Sequence, residues 1–310
     1  MILRATIFLL ASANMLAGGL SQYSDLVVAD STGKPREPGS VRITYLGTNG
    51  YRFEAAGHSL LVDPYFSRIS LNQAAFNLPI QPDVGQIHEN VTNGEVDAIL
   101  VTHGHFDHLL DVPTLMNRTG ARLIGSRTSA ELARRAGASP SKCDAVVPGS
   151  HRTIGPWRIS VLSASHDRLP FIGVPFNGTL KGNAAPTRAA DWVCGEPLSY
   201  LIAANGMKIF IDSGGTASIL PPSGVGPVDL AILGVALSDA RARFPASVQR
   251  LRPRYVVPSH QDNFFVPLKR GFQFGPMSDF PFVRRTYENQ RLPGKLTLLD
   301  YFRPWTLPRT

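Results

Sequence analysis

Residues 99–111 read ILVTHGHFDHLLD, a stretch with an apolar beginning and several histidines and aspartates after it. The apolar run at 98–101 predicts a buried strand, and four potential metal ligands follow it: His103, His105, Asp107 and His108. Two imidazoles at positions i and i+2 of a tight loop can bind one cation, whereas Asp107 and His108 project elsewhere and can bind a second. A polar loop with histidines by chance is the alternative. The density of ligands favours two adjacent metal sites.

Further candidate ligands follow predicted strands elsewhere in the chain. His166 comes after a strand at 157–162, Asp212 after 208–211, and His260 after 255–258. A carboxylate can bind two cations with its two oxygens, which an imidazole cannot do, so Asp212 is a candidate bridging ligand. The alternative for Asp212 is a cap for a helix that begins near Thr216. Asp63 follows a strand at 60–62 and could be simply a turn residue.

In this order, the motifs resemble those of the metallo-β-lactamase superfamily, a set of mostly hydrolytic binuclear metal proteins. Residues 103–108 are similar to its H-x-H-x-D-H signature, and the other four motifs surround Asp63, His166, Asp212 and His260. The resemblance covers about residues 41–262. In chain order and motif spacing, the sequence resembles the branch that holds sugar-phosphate lactonases and phospholipase-D-like phosphodiesterases more than the antibiotic-degrading lactamases.

The resemblance implies a role for each motif residue. His103, His105 and His166 would bind one divalent cation, and Asp107, His108 and His260 the other. Asp212 would bridge the two cations, and Asp63 would support the metal loop from behind. Nitrogen and oxygen ligands without thiolates suit zinc, with iron or manganese as alternatives. A water held between two such cations becomes a hydroxide near neutral pH, and this hydroxide is the expected nucleophile, with Asp107 and Asp212 as the catalytic carboxylates.

The pattern of elements predicts an α/β fold. Strands alternate with helices, and ligands lie at strand ends, so we expect a four-layer αββα sandwich of two mixed sheets with helices on the outer faces. The ligands from His103 to His260 must converge in space, which favours one domain at 41–310. Residues 64–95, rich in proline, are expected to contain little long helix.

The N-terminus differs in character from the rest of the chain. Residues 1–20 combine one positive charge, an apolar run and small residues, which is typical of a secretory signal peptide or an N-terminal anchor; a helix packed on the domain is the alternative. We therefore expect an exported, periplasmic or extracytoplasmic protein, with residues 21–40 as a linker. Whether Cys143 and Cys194 are free or disulfide-bonded is left open.

Two segments are expected to select the substrate. Residues 167–197 and 262–285 contain several aromatic residues, and the second also contains Lys269, Arg270, Arg284 and Arg285. Apolar and cationic groups side by side suit a small or amphiphilic anionic ester, such as a phosphodiester or a lactone, and allow membrane proximity. The net charge of +8 permits an anionic partner without requiring one. The oligomeric state is not predicted.

Other classes of function remain open. An oxidoreductase on the same fold is one alternative, but the diiron members of the family typically carry a carboxylate where this chain has His105. A ribonuclease-type phosphodiesterase is another, although no aromatic-basic RNA module is evident and no nucleic-acid partner is expected. A binding or scaffold protein is disfavoured because all seven expected ligands are present.

Overall fold

The computed structural model of the protein describes residues 19–34, 38–91 and 96–309. Its strands within these ranges are β1 (Val41–Gly47), β2 (Gly50–Ala55), β3 (His58–Val62), β4 (Ala98–Leu100), β5 (Arg122–Gly125), β6 (Cys143–Ala145), β7 (His151–Ile154), β8 (Trp157–Ser163), β9 (Leu198–Ala204), β10 (Met207–Ile211), β11 (Leu230–Gly234), β12 (Tyr255–Ser259), β13 (Lys295–Leu296) and β14 (Trp305–Leu307). The α-helices are α1 (Leu71–Ala75), α2 (Val84–Asn90), α3 (Phe106–Leu109), α4 (Val112–Thr119), α5 (Arg127–Arg135), α6 (Ser238–Leu251) and α7 (Phe280–Asn289). Short 3-10 helices lie at Leu20–Tyr23, Pro140–Lys142, Ala189–Asp191 and Leu268–Arg270.

The strands form two mixed sheets with the same internal plan. The first sheet has the order β14-β1-β2-β3-β4-β5-β6, and the second has the order β13-β12-β11-β10-β9-β8-β7. In each sheet, three pairs of neighbouring strands are antiparallel and three are parallel. Parallel strands bring their carboxyl ends to one edge of the sheet, which gathers the loops that follow β3, β4, β10 and β12.

The sheets pack face to face around an aromatic and aliphatic core. Its largest fully buried side chains include Tyr51 and Phe53 of β2, Trp157 of β8, Tyr200 of β9 and Phe210 of β10. A second apolar cluster lies between the first sheet and α4 and α5, where Ile99 and Leu123 of the sheet meet Leu115 and Leu132 of the helices. The predicted α/β sandwich with outer helices is therefore confirmed.

The sequence pattern did not predict all of the helices. In residues 64–95, where little long helix was expected, the structure forms the short helices α1 and α2, which are capped at their N-termini by the side chains of Ser70 and Asp83. Helix α6 is 14 residues long and contains Pro245, a residue that normally ends a helix, so its sequence signal is weak.

The segment before the domain packs on it over the residues described. Tyr23 contacts the rings of Phe274 and Phe280, and Val28 N donates a hydrogen bond to Leu298 O (3.1 Å). The part of the expected linker at 21–34 thus has fixed contacts with the C-terminal part of the domain. The expected signal segment falls almost wholly on residues 1–18, outside the described ranges. Within those ranges, no helix is both long and apolar enough to cross a membrane.

Candidate metal centre

Six of the seven predicted ligands converge into two groups of three. His103, His105 and His166 form one group, and Asp107, His108 and His260 form the other; within each group the donor atoms lie within 4.8 Å of one another. The side chains come from the loop after β4, the start of α3, and the loops after β8 and β12. Most of these residues are almost fully buried.

The first group is held in a geometry that suits a shared cation. His103 Nε2 lies 2.9 Å from His105 Nδ1, and the ring centroid of His166 lies 4.7 Å from that of His103 and 4.8 Å from that of His105. His166 Nδ1 contacts the carbonyl oxygen of Asp167 (2.6 Å). A proton on Nδ1 would be donated there, which leaves Nε2 available as a ligand.

The second group has similar spacings. Asp107 Oδ2 lies 3.4 Å from His108 Nε2 and 3.2 Å from His260 Nε2, and the two imidazole nitrogens are 3.2 Å apart. Tetrahedral ligands at about 2.0–2.1 Å from a zinc ion are about 3.3 Å from one another. The donor types and their separations therefore fit a small divalent cation.

Gly104 shapes the loop that carries the first two histidines. Its N–H donates a hydrogen bond to Cys194 O (2.9 Å), and a Cβ atom at this position would lie 2.3 Å from the carbonyl oxygen of Val193. Only glycine fits this close backbone contact. Helix α3 begins after His105 and buries Asp107 and His108, so one short loop-to-helix turn supplies ligands to both groups.

Asp63 holds the imidazole of His108 in place through its Nδ1 atom. Asp63 Oδ2 lies 2.9 Å from His108 Nδ1 and also accepts hydrogen bonds from Thr102 Oγ1 (2.6 Å) and Asn49 Nδ2 (2.9 Å), while Asp63 Oδ1 accepts from Thr102 N (2.8 Å). These contacts occupy both carboxylate oxygens. They direct His108 Nε2 towards Asp107 and His260.

A buried network supports the loop that carries His260. Asp262 forms an ion pair with Arg68 (2.9 Å) and accepts hydrogen bonds from Thr48 N (2.9 Å) and from the Tyr45 and Tyr301 hydroxyls. Burial alone would raise the pKa of Asp262, but the Arg68 guanidinium lowers it below its ordinary value. The ionised carboxylate therefore links β1, the turn after β1 and the loop after β3 to the loop after β12.

The protonation states differ between the ligands. Burial, together with the neighbouring histidines, lowers the pKa of His103 and of His105 well below the ordinary value, so both imidazoles are neutral. Burial acts in the same direction on His108, but the carboxylates of Asp107 and Asp63 outweigh it and raise the pKa of His108 to about 10. In the same way His108 and His260 hold the pKa of Asp107 low against the effect of burial. Neutral imidazoles and an ionised carboxylate are the forms that bind metal, so His108 would release its Nε2 proton when a cation binds.

Asp212 is the expected ligand that the structure does not place with the others. It belongs to neither group, and it is fully buried at the end of β10. Asp212 Oδ2 forms an ion pair with Arg243 Nη1 of α6 (2.7 Å), and Asp212 Oδ1 accepts a hydrogen bond from Gly234 N (3.3 Å). No helix begins near Thr216, so Asp212 does not cap a helix there.

A cavity of about 120 Å³ opens onto the donor groups. His105, Asp107, His166, Asp167 and His260 contribute to its lining. The remaining lining residues are apolar, and most belong to the two segments expected to select the substrate: Leu71, Ala74, Phe106, Leu169, Ile172, Pro175, Phe176, Ala236, Leu237, Phe264, Phe265, Pro276 and Met277. No lysine or arginine of the described ranges is among them.

The cationic residues of 262–285 lie elsewhere. Arg284 forms ion pairs with Asp25 and Glu288 (2.9 Å each) on the surface of α7. Lys269 and Arg270 are exposed at the end of the 3-10 helix Leu268–Arg270. The expected juxtaposition of cationic and apolar groups is therefore absent from the cavity lining within the described ranges.

Neither cysteine is placed as a nucleophile. Cys143 and Cys194 are both free and buried. Burial raises the pKa of the Cys194 thiol to about 12, so it is not ionised at neutral pH.

Residues 58–260 match the family described as the β-lactamase superfamily domain, and the match runs from the start of β3 to His260. The chain belongs to this superfamily. Among its relatives, a UPF0173 metal-dependent hydrolase of Rubrobacter xylanophilus is 27% identical over 237 residues, which cover 74% of this chain and 85% of the relative. A UPF0173 metal-dependent hydrolase of Desulforamulus reducens is 24% identical over 228 residues, covering 72% and 86%.

Solved structures share the fold. Igni18, a metallo hydrolase from Ignicoccus hospitalis, superposes with a TM-score of 0.58 at 17% identity and covers 87% of this chain and 100% of its own. The isothiocyanate hydrolase from Delia radicum gut bacteria gives 0.54 at 11% identity, covering 86% and 100%. CmlA, a diiron β-hydroxylase from Streptomyces venezuelae, gives 0.51 at 16% identity, covering 89% and 55%. Because hydrolases and a hydroxylase share this fold, the reaction must be inferred from the site.

Proposed function

We propose that this chain, a metal-dependent hydrolase by family, cleaves carboxylic esters or lactones whose organic group is apolar and uncharged. The observation that carries the proposal is the apolar cavity that opens onto His105, Asp107, His166 and His260. Burying an apolar group in such a cavity stabilises the complex by about 25 cal/mol per Å² of surface removed from water. An anionic group away from the scissile bond would lose its hydration there without a cationic side chain in the lining to offset the loss.

Two zinc ions are proposed for the two groups of donors. His103, His105 and His166 would bind one, and Asp107, His108 and His260 the other, which are nitrogen and oxygen donors that zinc accepts. Bound divalent ions would activate water and polarise the scissile carbonyl group.

The other residues would position the substrate and keep the site dry. Phe176 and Phe265 line the cavity from two different segments, so together they would cover an acyl chain whose carbonyl group faces the donor atoms. His108 is fixed by Asp63 and needs no reorientation to bind. The free cysteines are buried and un-ionised, which leaves activated water as the nucleophile that the proposal requires.

The oxidoreductase alternative receives no support from the ligand set. His105 stands where the diiron proteins of the family typically carry a carboxylate, and its Nδ1 lies 2.9 Å from His103 Nε2. A phosphodiester would bring its negative charge to the proposed metal ions, but an anionic group away from the scissile bond, which the sequence suggested, would need the arginines of 262–285. These arginines lie outside the cavity lining.

A panel of esters tests the proposal. The zinc-loaded protein would be assayed with p-nitrophenyl butyrate and octanoate, an aliphatic lactone, bis-p-nitrophenyl phosphate and a monoester of a dicarboxylic acid. We expect the neutral apolar esters or the lactone to have a kcat/KM above that of the phosphodiester. Their kcat/KM should also be at least about tenfold above that of the dicarboxylic monoester, since its one uncompensated charge costs more than about 1.4 kcal/mol. A preference for the phosphodiester or the anionic ester would overturn the choice of substrate.

A further inference from the structure

We propose that Asp167, rather than Asp212, supplies the second carboxylate of the metal centre. This inference rests on the proposed metal centre, but not on the choice of substrate. Asp167, which is next to His166 in the chain, would be a metal ligand. Asp212, the aspartate of the sequence motif, would have a structural role.

Asp212 is already engaged by protein groups. Its Oδ2 is 2.7 Å from Arg243 Nη1, and Arg243 is 96% buried, since only 4% of its surface is exposed. Arg243 Nη1 also donates to Gly214 O (3.2 Å), and Arg243 Nε donates to Ile219 O (2.8 Å). The pair therefore fastens the loop after β10 to α6. Releasing Asp212 to bind a cation would leave a buried guanidinium without its counter-charge.

Asp167, like Asp212, lies outside the two groups of donors, but it lines their cavity and one of its carboxylate oxygens has no protein partner. The residue is 3% exposed and lines the cavity together with Asp107, His166 and His260. Its Oδ2 is the only buried carboxylate oxygen without a hydrogen-bond partner in the described part of the chain. Within that part, the only ion-pair contact of Asp167 is with His166, between Oδ1 and Nδ1 (3.2 Å).

An unpartnered buried carboxylate oxygen is unfavourable unless a cation or a donor satisfies it. The other buried aspartates are satisfied by protein donors: Asp63 by Asn49, Thr102 and His108, Asp111 by Phe66 and Ser67, and Asp262 by Arg68, Tyr45, Thr48 and Tyr301. Asp167 stands apart from this set, and it faces the cavity in which the donor groups lie.

The absence of a side chain at Gly214 leaves space for the Asp167 carboxylate. A Cβ atom on Gly214 would lie 3.2 Å from Asp167 Oδ1 and 3.3 Å from its Cγ and Oδ2. Gly214 has a φ of 139°, a conformation that favours glycine. A bridging carboxylate was expected from the loop after β10. That loop instead contacts the Asp167 carboxylate at Gly214, which has no side chain.

The charge of the site also favours a second carboxylate. The two donor groups contain one carboxylate, Asp107, among five imidazoles. Two divalent cations on these donors would leave a strongly positive, buried centre, and an ionised Asp167 would reduce that charge.

Two matched variants, Asp167→Asn and Asp212→Asn, test the proposal. Both replace a buried carboxylate by an amide of the same shape. Zinc content after dialysis would be measured by elemental analysis, zinc affinity by competition with a chromophoric chelator, and the melting temperature on chelator-treated protein. Asp212→Asn/Arg243→Gln is added because it removes both charges of the buried pair, should the single Asp212 variant fail to fold.

For Asp167→Asn we expect zinc affinity to fall about 10- to 100-fold while the metal-free melting temperature stays within about 2 °C of wild type. For Asp212→Asn or its double variant we expect wild-type zinc content with a lowered metal-free melting temperature. Wild-type zinc affinity in Asp167→Asn, or zinc loss in an Asp212 variant of unchanged melting temperature, would overturn the assignment. A wild-type protein that binds no zinc, manganese or iron would instead overturn the metal centre itself.

Discussion

Asp63 Oδ2 lies 2.9 Å from His108 Nδ1, and both side chains are fully buried. Asp63 belongs to the end of β3 and His108 to α3, so this contact joins two elements that are 45 residues apart in the chain. It fixes which nitrogen of His108 faces the site. Asp63 thereby orients the His108 imidazole without being a metal ligand itself.

Replacing Asp63 with alanine should weaken zinc binding about 10- to 100-fold, because His108 loses the group that orients it and Thr102 loses an acceptor for its hydroxyl and its N–H. Zinc competition titrations measure the effect. Asp144→Ala, which breaks a surface pair with Arg152, is the matched control and should bind zinc as the wild type does. Equal zinc affinity in the two variants would show that Asp63 does not orient the centre.

Gly104→Ala should distort the metal loop. Its Cβ would lie 2.3 Å from Val193 O and 2.9 Å from Leu132 Cδ1, so the loop must move away from both. We expect a loss of about 1–3 kcal/mol in the free energy of unfolding, together with weaker zinc binding. Urea unfolding and zinc titration provide the measurements.

The control for this variant is Gly85→Ala in the exposed helix α2, where the added Cβ would come no nearer than 3.3 Å to Asp83 Oδ1. Alanine in a helix is favoured over glycine by about 0.5–1 kcal/mol, so this variant should be neutral or slightly stabilised. A Gly104 variant as stable as the Gly85 variant would contradict the close contact at the metal loop.

Asp111 should make the stability of the protein depend on pH. Burial raises the pKa of this carboxyl to about 6, although Ser67 and the Phe66 N–H oppose the shift. Because the folded pKa is above the unfolded value of about 3.9, the contribution of Asp111 to stability is fully present below pH 4 and is lost as the pH rises through about 6. The difference between the folded and the unfolded pKa of Asp111 corresponds to about 3 kcal/mol of stability.

The measurement is the free energy of unfolding in urea, with chelator present, at several values between pH 4 and pH 7. Asp111→Asn cannot titrate, so we expect the difference in stability between variant and wild type to move in favour of the variant as the pH rises over this range. A difference that stays constant from pH 4 to pH 7 would rule out the raised pKa.

Phe265→Ala should make the protein less selective for long acyl groups. Phe265 lines the cavity, so its removal takes away apolar surface that would cover an acyl chain. We expect the KM for p-nitrophenyl octanoate to rise about tenfold while kcat changes little. The KM for p-nitrophenyl acetate, which has a short acyl group, should stay nearly constant. Phe282→Ala, at an exposed position on α7 outside the cavity lining, is the control. The same change in KM for both esters would argue against an acyl site at Phe265.

The sequence by itself determined the metal loop and the sandwich. Residues 103–108 lie next to one another in the chain, so their ligand spacing is a local property that any fold with a strand before them would present. Short apolar runs likewise predicted β3, β4, β10 and β12, because a strand that is buried in a sheet needs apolar side chains along its length.

Only the tertiary structure decided how the carboxylates and the arginines are used. Asp212 meets its partner Arg243 31 residues later in the chain, and Asp167 faces Gly214, so both relationships depend on the packing of α6 and of the loops after β8 and β10. Arg284 was expected near the substrate, yet helix α7 directs it to Asp25. A sequence gives the type and order of its side chains, but the distances that pair opposite charges arise only when distant segments pack together.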